Sequence, residues 1–149
     1  MKKQVKVDGR ISEVKLMNNP IVIRVNKFSE DGAKKFNQDM AAAHNSGQGI
    51  IPVVIDSYGG QVYSLMSMIA DIKSSDIPVA TIVEGKAMSC GAVLFTFGAE
   101  GHRYMAPDAT IMIHDVSSGG FGKVEELKAD AAEADRLDQK IYKMMSQNS

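Results

Sequence analysis

The chain has no tryptophan, one cysteine, four prolines and three histidines among its 149 residues. A single cysteine cannot close an internal disulfide, so stability must come from a packed core, and no oxidising compartment is marked. Long apolar runs are missing too: no stretch approaches the ~20 residues that span a bilayer. The N-terminus has Lys2 and Lys3 but no apolar segment behind them, so a secretory leader is not expected. Charge of one sign is equally scarce, with 17 basic and 18 acidic residues giving a net charge of −1. The only adjacent lysines are Lys2-Lys3 and Lys34-Lys35, which argues against nucleic acid, a partner that usually needs a clustered basic face. No His, Cys, Asp or Glu group has metal-ligand spacing, and no glycine loop suits a phosphate, so no metal or cofactor is expected. These absences leave a soluble, cytoplasmic protein.

At 16.1 kDa and 44% hydrophobic residues the chain suits one domain with one core. Ile21 to Val25 reads as a short β-branched strand. Ser29 is placed to cap a helix, with Glu30 and Asp31 at the positive end of its dipole. Ala33, Phe36, Met40 and Ala43 follow at helical spacing. Residues 45–49 form a turn, and Ile50 to Ile55 a second strand, with Pro52 near its start or at an edge. After Gly59-Gly60, the positions of Val62, Leu65, Ile69 and Ile72 mark another helix. Pro78 to Val83 and Thr110 to Ile113 read as further strands, with a compact apolar helix after Ser89. Strands alternating with helices predict an α/β fold around a largely parallel sheet. From about Gly122, apolar residues line one side of a long, otherwise charged helix with nothing after it to pack on, which suggests docking against another subunit.

Three segments could bear chemistry. In Gly85-Lys86-Ala87-Met88-Ser89-Cys90-Gly91-Ala92 one serine stands between a strand and an apolar helix, among small neighbours that let a substrate backbone approach. Ser89 could be a nucleophile or could merely cap the helix; serine is a leading N-cap residue, and the segment alone does not separate the two. In Asp56-Ser57-Tyr58-Gly59-Gly60-Gln61-Val62 the adjacent glycines could aim backbone N–H groups at a ligand, as an oxyanion hole requires, or form only a tight turn. His114, at the end of an apolar run, could be a general base or a structural residue. His44 and His102 are weaker candidates, one ending a helix and the other in a loop.

Taken in order, these segments resemble the Clp protease proteolytic subunit. Asp56 to Gly60 is similar to that family's Asn-Ser-Pro-Gly-Gly turn, Gly85 to Ala92 to its Gly-x-Ala-x-Ser-x-Gly-Ala element, and Met112-Ile113-His114 to its Met-Ile-His. The resemblance runs from about Ile21 to the end of the chain. It implies a spiral of ββα units, also shared by crotonases, in one domain over residues 1–149, with 119–149 as a protruding handle. It implies a serine endopeptidase in which Ser89 attacks and His114 takes its proton. Gly59 and Cys90 would supply the oxyanion N–H groups, and Gly60, Gln61 and Val62 would pair with an extended peptide. It further implies a homo-oligomer of heptameric rings stacked as a tetradecamer, unfolded protein as substrate, and a Clp-type ATPase as partner.

Tyr58 and Cys90 depart from the family's usual proline and methionine without removing a needed N–H. The third triad residue is a larger departure. The resemblance places that aspartate past the handle, beyond Ser149. Asp115 should face away from the site on its strand, and Asp130, Asp135 and Asp138 sit on the handle. A shortened chain of impaired activity is therefore expected, since loss of the carboxylate's role can cost ~10⁴ in rate. The shortness of the first twenty residues makes ATPase docking less expected. Alternatives are a silent subunit in a mixed ring and a crotonase-type acyl-CoA enzyme. A lysine base is a further option, although Lys86 reads more simply as a solvent-facing loop residue.

Overall fold

Residues 2–7, 10–15, 19–113 and 136 are described by a computed structural model. Its order is β1 (Lys2–Val7), β2 (Arg10–Lys15), β3 (Ile23–Val25), α1 (Glu30–Asn45), β4 (Ile51–Ser57), α2 (Val62–Lys73), β5 (Val79–Met88), α3 (Cys90–Phe95), β6 (Arg103–Met105) and β7 (Thr110–Met112). β1 and β2 form an antiparallel hairpin. The other strands make one parallel sheet in the order β3-β4-β5-β6, with β7 also on β5. β6 meets Thr81–Val83 and β7 meets Lys86–Met88. Ala87 pairs with Ser57 of β4 and with Ile111 of β7, so β6 and β7 follow one another along the edge of β5 opposite β4.

The expected α/β fold is present, and local chemistry explains its elements. Ser29 caps α1, its hydroxyl accepting from the Gly32 N–H at 3.0 Å. Ala33, Phe36, Met40 and Ala43 are all buried. β4 is covered on both faces, with Ile51, Val53, Val54 and Ile55 each buried, as a strand inside a parallel sheet requires. Pro52 takes the second position of this central strand rather than an edge. Leu65, Met68, Ile69 and Ile72 of α2 and Val93 and Leu94 of α3 complete the core with Phe36. Each such side chain gains ~1.5–3 kcal/mol on burial.

Two elements differ from their expected extent. β5 does not end at Val83 but runs five residues further, to Met88. It does so across an irregularity: Ile55 pairs with Val83 and Ser57 with Ala87. Two steps along β4 therefore match four along β5, and the surplus is accommodated at Glu84-Gly85-Lys86, where Gly85 has φ +68°. The second is β6, a strand where no element was expected. No helix among the described residues is long and apolar enough to cross a membrane. The expected handle, 119–149, falls outside the described residues apart from Arg136.

Candidate active site

β5 delivers its last residue directly into α3, and Ser89 fills the single position between them. Its backbone has φ 54° and ψ −117°, the one positive φ outside glycine among the described residues. Such a conformation costs an L-residue ~1–3 kcal/mol and persists only where its surroundings impose it. Here the Ser89 N–H donates to the Met112 carbonyl at 2.8 Å, and its carbonyl accepts from the Val93 N–H at 3.2 Å. Although Ser89 occupies the N-cap position, its hydroxyl makes no capping bond. Capping therefore does not account for the serine, whose side chain is only partly buried.

The turn after β4 lies against it. A Cβ on Gly59 would come within 2.9 Å of the Ser89 Cβ and 3.3 Å of its Oγ. Gly59 has φ +107° and Gly60 φ +152°, so only glycine fits here for reasons of both space and backbone. The Gly59 N–H is already used: it donates to the buried Ser57 Oγ at 2.9 Å. The residue after it is held differently. Phe28 bridges Gly60 in parallel fashion, donating to the Gly59 carbonyl at 3.4 Å and accepting from the Gln61 N–H at 2.7 Å. The Gly60 N–H and carbonyl thus lie on the opposite edge, where the carbonyl meets Cys90 Sγ at 3.5 Å. Among the described residues the Gly60 N–H has no backbone acceptor. The Cys90 N–H, at the first position of α3, has none within its helix.

The Clp protease family model matches residues 8–149, nearly the whole chain. The chain belongs to the Clp protease family. A similar protein is the ATP-dependent Clp protease proteolytic subunit of Bacteroides thetaiotaomicron, 33% identical over 99 residues that cover 66% of this chain and 45% of that protein. The chain thus matches about half the length of this curated relative.

The structure brings Ser89, Gly59, Gly60 and Cys90 together and places Gln61 and Val62 at the start of α2. Gln61 has little backbone left to offer a ligand, because its N–H goes to Phe28 and its carbonyl to the Leu65 N–H at 3.2 Å. His114 lies outside the described residues, two positions after the Met112 whose carbonyl holds Ser89, as do Asp115, Asp130, Asp135 and Asp138. His44 is far from a catalytic role for a local reason: its ring nitrogens face the Met40 carbonyl at 2.8 Å and Ser75 Oγ at 3.0 Å. No group of three or more metal-ligating side chains occurs among the described residues.

Lys86 overturns its reading as a solvent-facing loop residue. It belongs to β5, its side chain is 24% exposed, and Nζ donates to Asp56 Oδ1 at 2.8 Å. The same ammonium lies 4.5 Å from the centre of the Tyr58 ring. The hydrogen bond with Asp56, and then its charge, raise the Lys86 pKa, and the reciprocal contact lowers that of Asp56. A lysine general base needs the opposite shift, so the ion pair with Asp56 disfavours that part for Lys86. Burial pushes the Cys90 thiol up, keeping it protonated and poorly nucleophilic at neutral pH.

Proposed function

We propose that the chain is a serine-type endopeptidase subunit of an ATP-dependent, self-compartmentalising protease, with Ser89 as nucleophile and His114 as general base. The observation that supports it best is the Ser89 turn: an L-residue held at φ 54° with its hydroxyl spared from capping. A strained strand-to-helix turn is how hydrolases present a nucleophilic oxygen clear of the backbone. Attack by Oγ on a scissile carbonyl would pass its proton to His114 and place negative charge on the carbonyl oxygen.

For that oxyanion the two N–H groups we assign are those of Gly60 and Cys90, which have no backbone acceptor, rather than Gly59, whose N–H is bound to Ser57 Oγ. Gly59 keeps a different part, that of leaving room for the Ser89 side chain. Each oxyanion donor is worth ~10²–10³ in rate. Gly60 is exposed, and an extended peptide entering beside it would find its backbone and the first-turn N–H of Val62, while Gln61 offers little. Substrates would be unfolded polypeptides, and the working form a homo-oligomer of stacked heptameric rings in the cytoplasm, fed by a Clp-type ATPase.

The test is covalent labelling with a fluorophosphonate probe, the adduct being located by peptide mass spectrometry. Labelling at Ser89 that disappears in Ser89→Ala and falls in His114→Ala is the expected result. A protein that labels elsewhere, or equally well without Ser89, would overturn the assignment.

A further inference from the structure

The surplus residues of β5 do more than lengthen a strand. They place Gly85 so close to Asp56 that a Cβ there would lie 2.9 Å from the carboxylate, and they present Lys86 to two successive points of the neighbouring chain. Asp56 is in β4, one residue before the Ser57 that holds the Gly59 N–H. Tyr58 is the residue immediately before Gly59. One ammonium therefore spans both flanks of Ser57, by an ion pair at 2.8 Å and by a ring contact at 4.5 Å. On its other side Asp56 is fixed as well, its carbonyl accepting from Asn26 Nδ2 at 2.8 Å. Three residues further on, just past the end of β5, stands Ser89. Strand irregularities of this kind re-aim side chains, and they gather beside active sites.

We propose that Lys86 is a positioning residue for the Ser57–Gly60 turn, holding its glycines in register with Ser89. Tyr58 is 75% exposed, so without Lys86 its ring would lose this contact, and the peptide between it and Gly59 would be held by the Ser57 Oγ bond alone. Lys86 reaches no reacting atom in this scheme; it acts through Asp56 and Tyr58. The role in catalysis rests on the reading of Ser89 as nucleophile, whereas the restraint on the turn does not.

The experiment compares wild type with Lys86→Met, Lys86→Arg and the double variant Lys86→Met with Asp56→Asn, by two independent readouts. One is the rate of fluorophosphonate labelling at Ser89. The other is hydrogen exchange of the Gly59 and Gln61 amides, the two hydrogen-bonded N–H groups of the turn, followed by NMR. Lys86→Met is expected to slow labelling about tenfold, because displacements near 1 Å can cost ~10² in rate, and to speed exchange at both amides by a similar factor. Lys86→Arg should stay within about threefold of wild type, as it keeps the charge and the affinity for an aromatic face. The double variant should be no slower than Lys86→Met, because the two residues act as one unit. Amide exchange in Lys86→Met at the wild-type rate would overturn the proposal, even if labelling fell, since Lys86 would then act on the ligand instead. Wild-type protein that never labels at Ser89 would sink the nucleophile assignment, leaving amide exchange to decide whether Lys86 restrains the turn.

Discussion

Two strand-to-helix junctions meet at the candidate site, and they solve one backbone problem in opposite ways. After β4 the chain turns through Gly59 and Gly60, both at positive φ, before α2 begins. After β5 it turns at Ser89 alone, also at positive φ, and enters α3 at the next residue. Glycine adopts these angles without steric penalty, while serine does so against its Cβ. Strain is thus tolerated at the one junction where a side chain is required and avoided at the one where only backbone is required. On the reading of Ser89 as nucleophile, the contrast separates a residue present for its hydroxyl from residues present for their lack of a side chain.

The comparison can be broken from either side. The largest effect is expected from Ser89→Ala, which should abolish fluorophosphonate labelling while leaving the fold intact. Gly60→Ala should come next. Its new Cβ would run into the Phe28 carbonyl at a φ of +152°, so we expect labelling to fall by ~10²–10³ and the protein to lose about 1–3 kcal/mol in denaturant unfolding. Ser89→Gly sharpens the argument, because it should be more stable than Ser89→Ala by about 1 kcal/mol, the strain being relieved in one and retained in the other. Equal stabilities would mean that φ 54° is not costly here.

Smaller effects test the surroundings. The Asp56 pKa is lowered from 3.8 and that of Lys86 raised from 10.5. The carboxylate's contribution is therefore present above 3.8 and lost as pH falls through its folded value. The ammonium's is present below 10.5 and lost as pH rises through its own. The difference in amide exchange between wild type and Lys86→Met should accordingly be flat from about pH 5 to 9 and close only outside that range. Buried Cys90, its thiol raised from 9.0, should resist iodoacetamide at pH 8 in the folded protein and react once it is unfolded. Rapid alkylation of native protein would place the sulfur in solvent, contrary to its 3% exposure.

How much of this was legible in the sequence differed with how local the determining forces are. α1 could be read from its cap and periodicity, because both lie within a few residues of one another. β5 was cut short at Val83, because Glu84-Gly85-Lys86 looks like a polar break until Asp56 and Tyr58 are seen across from it. β6 has three residues and no alternating pattern to find. The hairpin of β1 and β2 did leave a signal, in the Asp8-Gly9 dipeptide between two valine-bearing runs. The Ser89 candidacy was visible from its setting, but its freedom from capping depends on φ and ψ and was not. Which of two adjacent glycines has its N–H bound within the turn is decided by Ser57 Oγ, and the way the other faces by Phe28, a residue far away along the chain. No reading of the Gly-Gly pair alone could have told them apart.

The bond from the Ser89 amide to the Met112 carbonyl also has a consequence in time. A ribosome makes Ser89 well before it makes the strand that accepts its N–H. Until β7 arrives, nothing on that edge of β5 offsets the unfavourable angle, and the serine is free to relax into an ordinary extended or helical shape. The turn that would render the hydroxyl reactive is therefore finished late, after the sheet around it, so a nascent chain would carry the nucleophile's residue without its geometry.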